Sequence, residues 1–336
     1  MMSDIAQKAS ETAADKTLIS IGVAVFQNAG SLPGLVDEIF EAFGTGLPGQ
    51  RFEIVFVNDG STDGSDKILD DLAAKHPDVI SVVHFTRNFG QLFAMIAAVD
   101  HARGDAVISV SADQQDPISV AVEMVRLWQA GSEIVIAHRA NREDGIAART
   151  FSSLAYGFLR LSTPSLPPGG FDYFLLDRRA ADNIRSQRNR NRFFQTDVLG
   201  LGYRTAFIPY TRRARSHGRS QYSYWSRIRS MVNATVDSSY LPIRMMSSIG
   251  LIFVAIGMLY AASVTVARIM GQVPGGGYAV IVILLLTIGG LIILMLGILG
   301  EYVWRIYDEL RAKPLYIVDK VVGRPGDDDT SRTDRH

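Results

Sequence analysis

Short runs rich in Val, Ile and Phe recur along the first part of the chain at Leu18 to Phe26, Arg51 to Val57, Val79 to Phe85, Ala106 to Ser111 and Ile134 to Ala137. Segments of helical length separate them, and alternation of this kind predicts a mostly parallel sheet with helices on its faces. Helices are expected over Pro33 to Phe43, Ser65 to Lys75, Gln91 to His101 and Pro117 to Ala130. The second of these starts after a Ser-Thr-Asp-Gly-Ser turn rich in capping groups.

Further on the pattern changes. Met245 to Ala267 and Tyr278 to Gly300 carry no charge, and each exceeds the roughly 20 residues that a helix needs to cross a bilayer core of about 30 Å. The link between them is short and glycine-rich, which predicts a transmembrane hairpin. Arg227, Arg229 and Arg244 precede the first span and Arg305, Arg311 and Lys313 follow the second, while the link holds only Arg268. The positive-inside rule then puts the N-terminal part and the C-terminal tail in the cytoplasm of a multi-pass plasma-membrane protein. Tyr222 to Leu241 and Tyr302 to Leu310 mix Trp, Tyr and Arg with apolar residues and are expected to be interfacial helices anchored by Trp225 and Trp304. The expected organisation is therefore a frayed N-terminus over 1–17, without the apolar core of a signal peptide, a catalytic domain over 18–221, juxtamembrane helices over 222–244, two spans within 245–303 and a tail over 304–336.

Charge and composition narrow the chemistry. In 336 residues, 34 Lys and Arg balance 34 Asp and Glu, so no overall electrostatic case exists for a nucleic-acid partner. Positive charge is local: Arg212, Arg213, Arg215, Arg219, Arg227, Arg229 and Arg244 crowd the approach to the first span. There is no cysteine, which excludes disulfides, thiolate nucleophiles and Cys-ligated metals.

Two carboxylate-bearing turns end apolar runs: Val57-Asn58-Asp59-Gly60-Ser61-Thr62-Asp63 and Ser111-Ala112-Asp113-Gln114-Gln115-Asp116. Ligands of an open α/β sheet lie beyond the carboxyl ends of its strands, so Asp59 and Asp113 would share a crevice if their strands are neighbours. Asp-Gly between apolar runs also suits a hairpin, but here a helix follows. Asp116, directly before Pro117, fits a helix N-cap better than Asp113 does. One carboxylate and one amide oxygen, from Asp113 and Gln115, suit Mg²⁺ or Mn²⁺ completed by substrate phosphates and water. With His and Cys missing from the turn, zinc is disfavoured.

These residues resemble the polyprenyl-phosphate glycosyltransferases, the dolichol-phosphate-mannose-synthase-like branch of the inverting family-2 glycosyltransferases that includes bactoprenol glucosyltransferases. The likeness runs from about Leu18 to Val322. Val23-Ala24-Val25-Phe26-Gln27-Asn28 stands at the family's Val-Pro-Val-Tyr-Asn-Glu strand end, Val57 to Asp63 at its Val-Asp-Asp-Gly-Ser-x-Asp turn, and Ser111 to Pro117 at its Asp-Ala-Asp-Leu-Gln-Asp-Pro block. Arg87-Asn88-Phe89-Gly90 is unchanged, and Asn189 to Phe193 and Arg215-x-x-Gly218-x-Ser220 match later blocks.

The resemblance implies a GT-A fold, with its Rossmann-like α/β sheet. It implies that Ala24, Phe26, Asn28, Asp59, Ser111 and Ala112 bind the nucleotide of a UDP-sugar and that Asp113 and Gln115 hold the metal. It also sets Asp113, Arg139, Arg149, Ser153, Asp172 and Arg215 around the reacting phosphates and the acceptor, a polyprenyl phosphate expected to be undecaprenyl phosphate. Relatives suggest a homo-oligomer, a tetramer, and Gly289, Gly290, Gly297 and Gly300 would permit close helix packing. Asn28 replaces a Glu, Phe174 an Arg, Gln221 a Lys, and Ser111 the first Asp of the metal block. The changes at Asn28 and Phe174 suggest a different donor sugar; the loss of a carboxylate at Ser111 implies either a lower metal affinity or a metal more dependent on the donor pyrophosphate.

The expected reaction moves one sugar to a lipid phosphate at the cytoplasmic membrane face, supplying envelope glycan or lipopolysaccharide modification. A phosphate monoester with a second pKa near 6 is largely dianionic at neutral pH and needs no strong base. A catalytically impaired membrane scaffold of the same fold is an alternative that Ser111 permits. Another is a processive or different nucleotide-sugar transferase, against which stand the missing Gln-x-x-Arg-Trp motif and the presence of only two spans.

Overall fold

β1 (Leu18–Val25), β2 (Arg51–Asn58), β3 (Ile80–Phe85) and β4 (Ala106–Ser111) begin and end within a residue of the apolar runs that predict them, and β5 (Ile134–Arg139) runs two residues further. In this computed structural model the described residues are 17–139, 166–167, 170–187, 193–213, scattered positions between 248 and 270, and 277–323 except 312. Contacts divide the chain into two units, one made of Met1–Asn189, Phe194–Tyr224 and Pro314–His336, the other of Arg190–Phe193 and Trp225–Lys313.

The first unit is built on an eight-stranded sheet of order β7-β5-β6-β4-β1-β2-β3-β8, adding β6 (Tyr173–Asp177), β7 (Thr205–Tyr210) and β8 (Val318–Val322). β4, β1, β2 and β3 are mutually parallel, as are β5 and β7; β6 runs antiparallel between β4 and β5, and β8 antiparallel to β3. The mostly parallel α/β sheet expected of a GT-A domain is therefore present. Its central strands are legible because helices cover both faces: Ile54, Val55, Phe56 and Val57 are all fully buried, so the strand reads as a continuous apolar run rather than an alternating one.

Helices α1 (Leu32–Gly46), α2 (Ser65–Lys75), α3 (Gln91–His101) and α4 (Ile118–Gln129) follow β1 to β4 in turn. α5 (Arg178–Ser186) and α6 (Phe194–Gly200) follow β6. α1 turns Leu32, Leu35, Val36, Ile39 and Phe43 inward at helical spacing. α3 lies so close to β1 that a Cβ on Gly22 would stand 2.8 Å from that of Ala98. α2 begins after Gly64 at φ +90 with no side-chain cap, and it is Asp63, one residue earlier, whose carboxylate accepts the Ser65 amide.

The two carboxylate turns do not end neighbouring strands, because β1 lies between β2 and β4. From β1 the chain winds outward to β3, then returns to put β4 on the opposite side. The switch point, where an open α/β sheet forms its crevice, is thus at the end of β1.

In the second unit α7 (Gly277–Leu310) is a single helix of 34 residues. The expected separate helix over Tyr302 to Leu310 is instead its continuation, since neither Gly nor Pro interrupts Glu301 to Leu310 and nothing forces a break. Ile288–Asp308 is, among the described residues, one stretch long and apolar enough to cross a membrane. The described positions between 248 and 269 are helical; most of the first expected span, and all of Tyr222 to Leu241, lie outside the described residues. The tail also differs from expectation: beyond Pro314 the chain belongs to the first unit and supplies β8.

Candidate active site

Hydrogen bonds bind together the loops that leave β1, β2 and β4. Ser31 Oγ donates to the carbonyl of Ala112 at 2.7 Å, joining the start of α1 to the end of β4. The amides of Gln27 and Asn28 donate to Ser61 Oγ and Ser65 Oγ, both at 3.2 Å, and the Ala29 amide to Asp63 Oδ2 at 3.0 Å. Gln27 takes a left-handed φ of 58, uncommon away from glycine. Burial works against ionised Asp63, yet hydrogen bonds from Ser65 and the Ala29 amide outweigh it and hold the carboxyl below its usual range.

Asp59 stands at the end of β2, 2 % exposed. Its oxygens accept the amides of Phe89 at 2.6 Å and Gly90 at 2.9 Å. Burial nevertheless raises its pKa, against those two bonds and the charge of Arg87. The carboxylate therefore fixes the Arg87-Asn88-Phe89-Gly90 loop over the crevice. Gly60, at φ 68, is required here: a Cβ would come within 2.6 Å of the Asn88 nitrogen. Ala24, Phe26 and Asn28 are half-buried at the end of β1, Phe26 just beyond the strand, and Asn28 Oδ1 accepts the Phe26 amide at 3.4 Å.

At the end of β4, Asp113 Oδ1 accepts the Ser111 hydroxyl at 2.6 Å and the Gln115 amide at 3.2 Å. Gln115 Nε2 donates to the Arg213 carbonyl, and the Arg213 amide donates back to the Gln115 carbonyl. Among the described residues no group of three His, Cys, Asp or Glu could hold a metal ion. Asp113 and Gln115 offer a carboxylate and an amide oxygen, donor types that suit a hard ion taking its other ligands from substrate and water.

Asp116 is not the N-cap of α4. That position belongs to Pro117, without a side-chain cap, and Asp116 Oδ1 accepts the hydroxyl of Tyr210 at 2.7 Å. Its pKa is raised, chiefly by burial, with nearby Asp113 and Asp172 adding to the effect and Tyr210 and Arg212 opposing it. Burial and then Asp116 push the Tyr210 phenol well above the usual range of a phenol. Arg139, at the end of β5, also pairs with Tyr210 and feels Asp172 and Asp116; these partners raise its pKa despite burial. Arg139, Asp172 and Tyr210 line a small cleft with Ala137, Gly170 and Phe171, in which Asp172 is exposed.

Two arginines read as juxtamembrane belong to this site. Arg212 lies 3.8 Å from Asp113 Oδ2 and 3.7 Å from Asp116 Oδ1, with its Nε buried and unbonded; Arg213 pairs with Glu38 at 2.8 Å. Tyr210 and Arg212 were missed as site residues because β7, an edge strand containing Pro209, gives a weak strand signal. Phe174 is fully buried between Phe171 and Phe194, so the apolar residue at the position of the family's Arg packs inside the domain. Arg149, Ser153 and Arg215 lie outside the described residues, as does Gln221.

Comparison with known proteins adds independent findings. The Glycosyl transferase family 2 profile matches residues 20–200. An SfII prophage-derived bactoprenol glucosyl transferase of Shigella flexneri is 34% identical over 304 residues, spanning 90% of this chain and 97% of that protein. A prophage bactoprenol glucosyl transferase homolog of Escherichia coli K12 is 32% identical over 305 residues, spanning 90% and 99%. Among solved structures, a Mycobacterium tuberculosis glucosyl-3-phosphoglycerate synthase in complex with Mn²⁺, UDP and phosphoglyceric acid superposes with a TM-score of 0.47 at 15% identity, covering 68% of this chain and 79% of that one. A likeness at that level carries no functional argument.

Proposed function

The chain belongs to glycosyl transferase family 2 as a polyprenyl-phosphate glycosyltransferase, and from that premise we propose that it transfers one sugar from a UDP-sugar to undecaprenyl phosphate at the cytoplasmic face of the plasma membrane. The observation that carries the reading is the match to the Shigella bactoprenol glucosyl transferase over nearly the whole of both chains. The crevice at the end of β1 supports it, since the residues there suit a nucleotide diphosphate and a hard cation.

In this mechanism the loops held by Asp59 and Asp63 receive the nucleotide beside Ala24, Phe26, Asn28, Ser111 and Ala112. Asp113 and Gln115 would hold Mg²⁺ or Mn²⁺, which supplies positive charge to the departing UDP. Arg212, 3.8 Å from Asp113, adds fixed positive charge on the same side. Arg139 and Asp172 line the neighbouring cleft and orient the acceptor phosphate, with Arg149, Ser153 and Arg215 completing the set. The dianionic acceptor is its own nucleophile, so the protein's work is alignment, charge balance and exclusion of water. Asp172 serves as an orienting group, because Arg139 shares its cleft.

The apolar helix supports membrane attachment. At 1.5 Å per residue α7 is about 51 Å long, more than a hydrocarbon core of about 30 Å, and Leu285, Ile293 and Leu296 on it are exposed in its own unit. With Met245 to Ala267 it forms the proposed hairpin, which holds the catalytic unit and both termini at the cytoplasmic surface, where the product serves envelope glycan or lipopolysaccharide modification. A tetramer packed through the glycines of α7 is part of the same proposal.

The test is full-length protein in lipid nanodiscs with Mn²⁺ or Mg²⁺, undecaprenyl phosphate and a panel of UDP-sugars, with the lipid product read by mass spectrometry. A single-sugar lipid phosphate is expected, and its formation should collapse in Asp113→Ala. No metal-dependent UDP-sugar binding would favour the impaired scaffold, and a polymeric product would favour a processive enzyme.

A further inference from the structure

Asn58, His84, Asp70 and Lys320 form one hydrogen-bonded line from the end of β2 to the last strand of the sheet. Asn58 Nδ2 lies 3.1 Å from His84 Nδ1, His84 Nε2 lies 2.9 Å from Asp70 Oδ1, and Lys320 Nζ lies 2.6 Å from Asp70 Oδ2. His84 and Lys320 face each other across β3 and β8. The line has a fixed polarity. An amide nitrogen only donates, so His84 Nδ1 must present a lone pair and carry its proton on Nε2, which donates to Asp70.

The other end of the Asn58 amide is equally constrained, because its Oδ1 accepts the Ser61 amide at 3.1 Å. Turning the side chain over would set its NH₂ against the Ser61 N–H. Asn58 and His84 are each 4 % exposed, so water cannot readily replace a lost partner, and an unmatched donor there is costly. Ser61 in turn accepts the Gln27 amide at 3.2 Å, which carries the constraint across to the loop after β1.

We infer that His84 is a positioning residue for nucleotide binding: its Nδ1 lone pair fixes the orientation of the Asn58 amide, and Asn58 holds the Ser61 turn against the Gln27 loop. Lys320 and Asp70 hold the imidazole in the required tautomer, so the strand that follows α7 helps to shape the crevice. The inference rests on the proposed reading that the nucleotide lies at this turn.

The two amide substitutions at this position separate the roles. In His84→Asn the side-chain oxygen can stand where Nδ1 stands and accept from Asn58, at the expense of Asp70. In His84→Gln the longer side chain reaches Asp70 and leaves Asn58 without its acceptor. Calorimetric titration of the full-length protein with UDP and Mn²⁺ should give affinity within about threefold of wild type for His84→Asn and about tenfold weaker for His84→Gln, the size of one lost hydrogen bond. A role confined to packing or to the Asp70 pair would give no split, or the reverse order, and either overturns the inference. A wild-type protein that binds no UDP overturns the reading of the site instead. Should a variant fail to fold, ¹⁵N NMR of histidine-labelled wild type decides: the proton is expected on Nε2 of His84, and a proton on Nδ1 overturns the proposal.

Discussion

The hydroxyl of Ser111 donates to Asp113 Oδ1 at 2.6 Å, so a neutral donor stands where the family's block carries a second carboxylate. Restoring that carboxylate with Ser111→Asp would set two negative charges side by side, an arrangement that is unfavourable until a cation joins them. The Mn²⁺ concentration giving half-maximal activity should fall about tenfold, and chelation should lower the melting temperature of the variant more than that of wild type. An unchanged metal requirement would remove Ser111 from the metal account.

Asp59 accepts two backbone amides of the Phe89–Gly90 loop, and an amide side chain can accept at only one end. Asp59→Asn therefore turns one bond into a clash of two N–H groups and should cost about 1–3 kcal/mol. Because the native carboxyl has a raised pKa, its linkage favours folding at acid pH and is lost as pH rises through the folded pKa. The penalty of the substitution should be compared by denaturant melts at neutral and acid pH.

Tyr210→Phe removes the hydroxyl that Asp116 accepts and leaves a buried carboxylate short of a donor. A loss of about 1–3 kcal/mol is expected where Asp116 is ionised. The Asp116 pKa is already raised and rises further without the phenol, so the loss should shrink as pH falls through it. Urea unfolding across that range reads the effect, and a penalty independent of pH would sink it.

Asp70 behaves in the opposite way. Burial raises its pKa, but Lys320 and His84 more than compensate and hold the carboxyl below its ordinary value. Its stabilisation is present above the unfolded pKa and disappears as pH falls through the lowered folded one. Lys320→Met should weaken that acid dependence of stability, measured by thermal melts between neutral pH and pH 3, and should leave the neutral-pH fold intact.

Truncation before Pro314 removes β8 and with it the stacking of Tyr316 on Phe85, ring centroids 4.8 Å apart, and the 2.7 Å bond from Tyr316 to Asp100. β3 would then become an open edge, a template for pairing with other chains. Aggregation of the truncated protein in detergent, measured by size-exclusion chromatography, is the expected outcome.

The central layer was legible from local pattern alone, because β1 to β4 are covered on both faces and are therefore mainly apolar. α2 and α3 were legible to the residue because their periodic apolar positions are bounded by turn residues. The two carboxylate turns were visible for a related reason: a strand-to-helix crossing needs small and polar residues at its tip. What those carboxylates face depends on the packing of the whole domain. That β1 separates the turns, that Asp59 is committed to the Phe89–Gly90 amides, that Asp116 pairs with Tyr210 rather than capping α4, and that Arg212 stands beside Asp113 all depend on contacts between distant parts of the chain. The same holds for Lys320, brought to Asp70 across 250 positions. Local pattern records which surfaces are buried; the partners of a buried charge are chosen by packing, which no local pattern encodes.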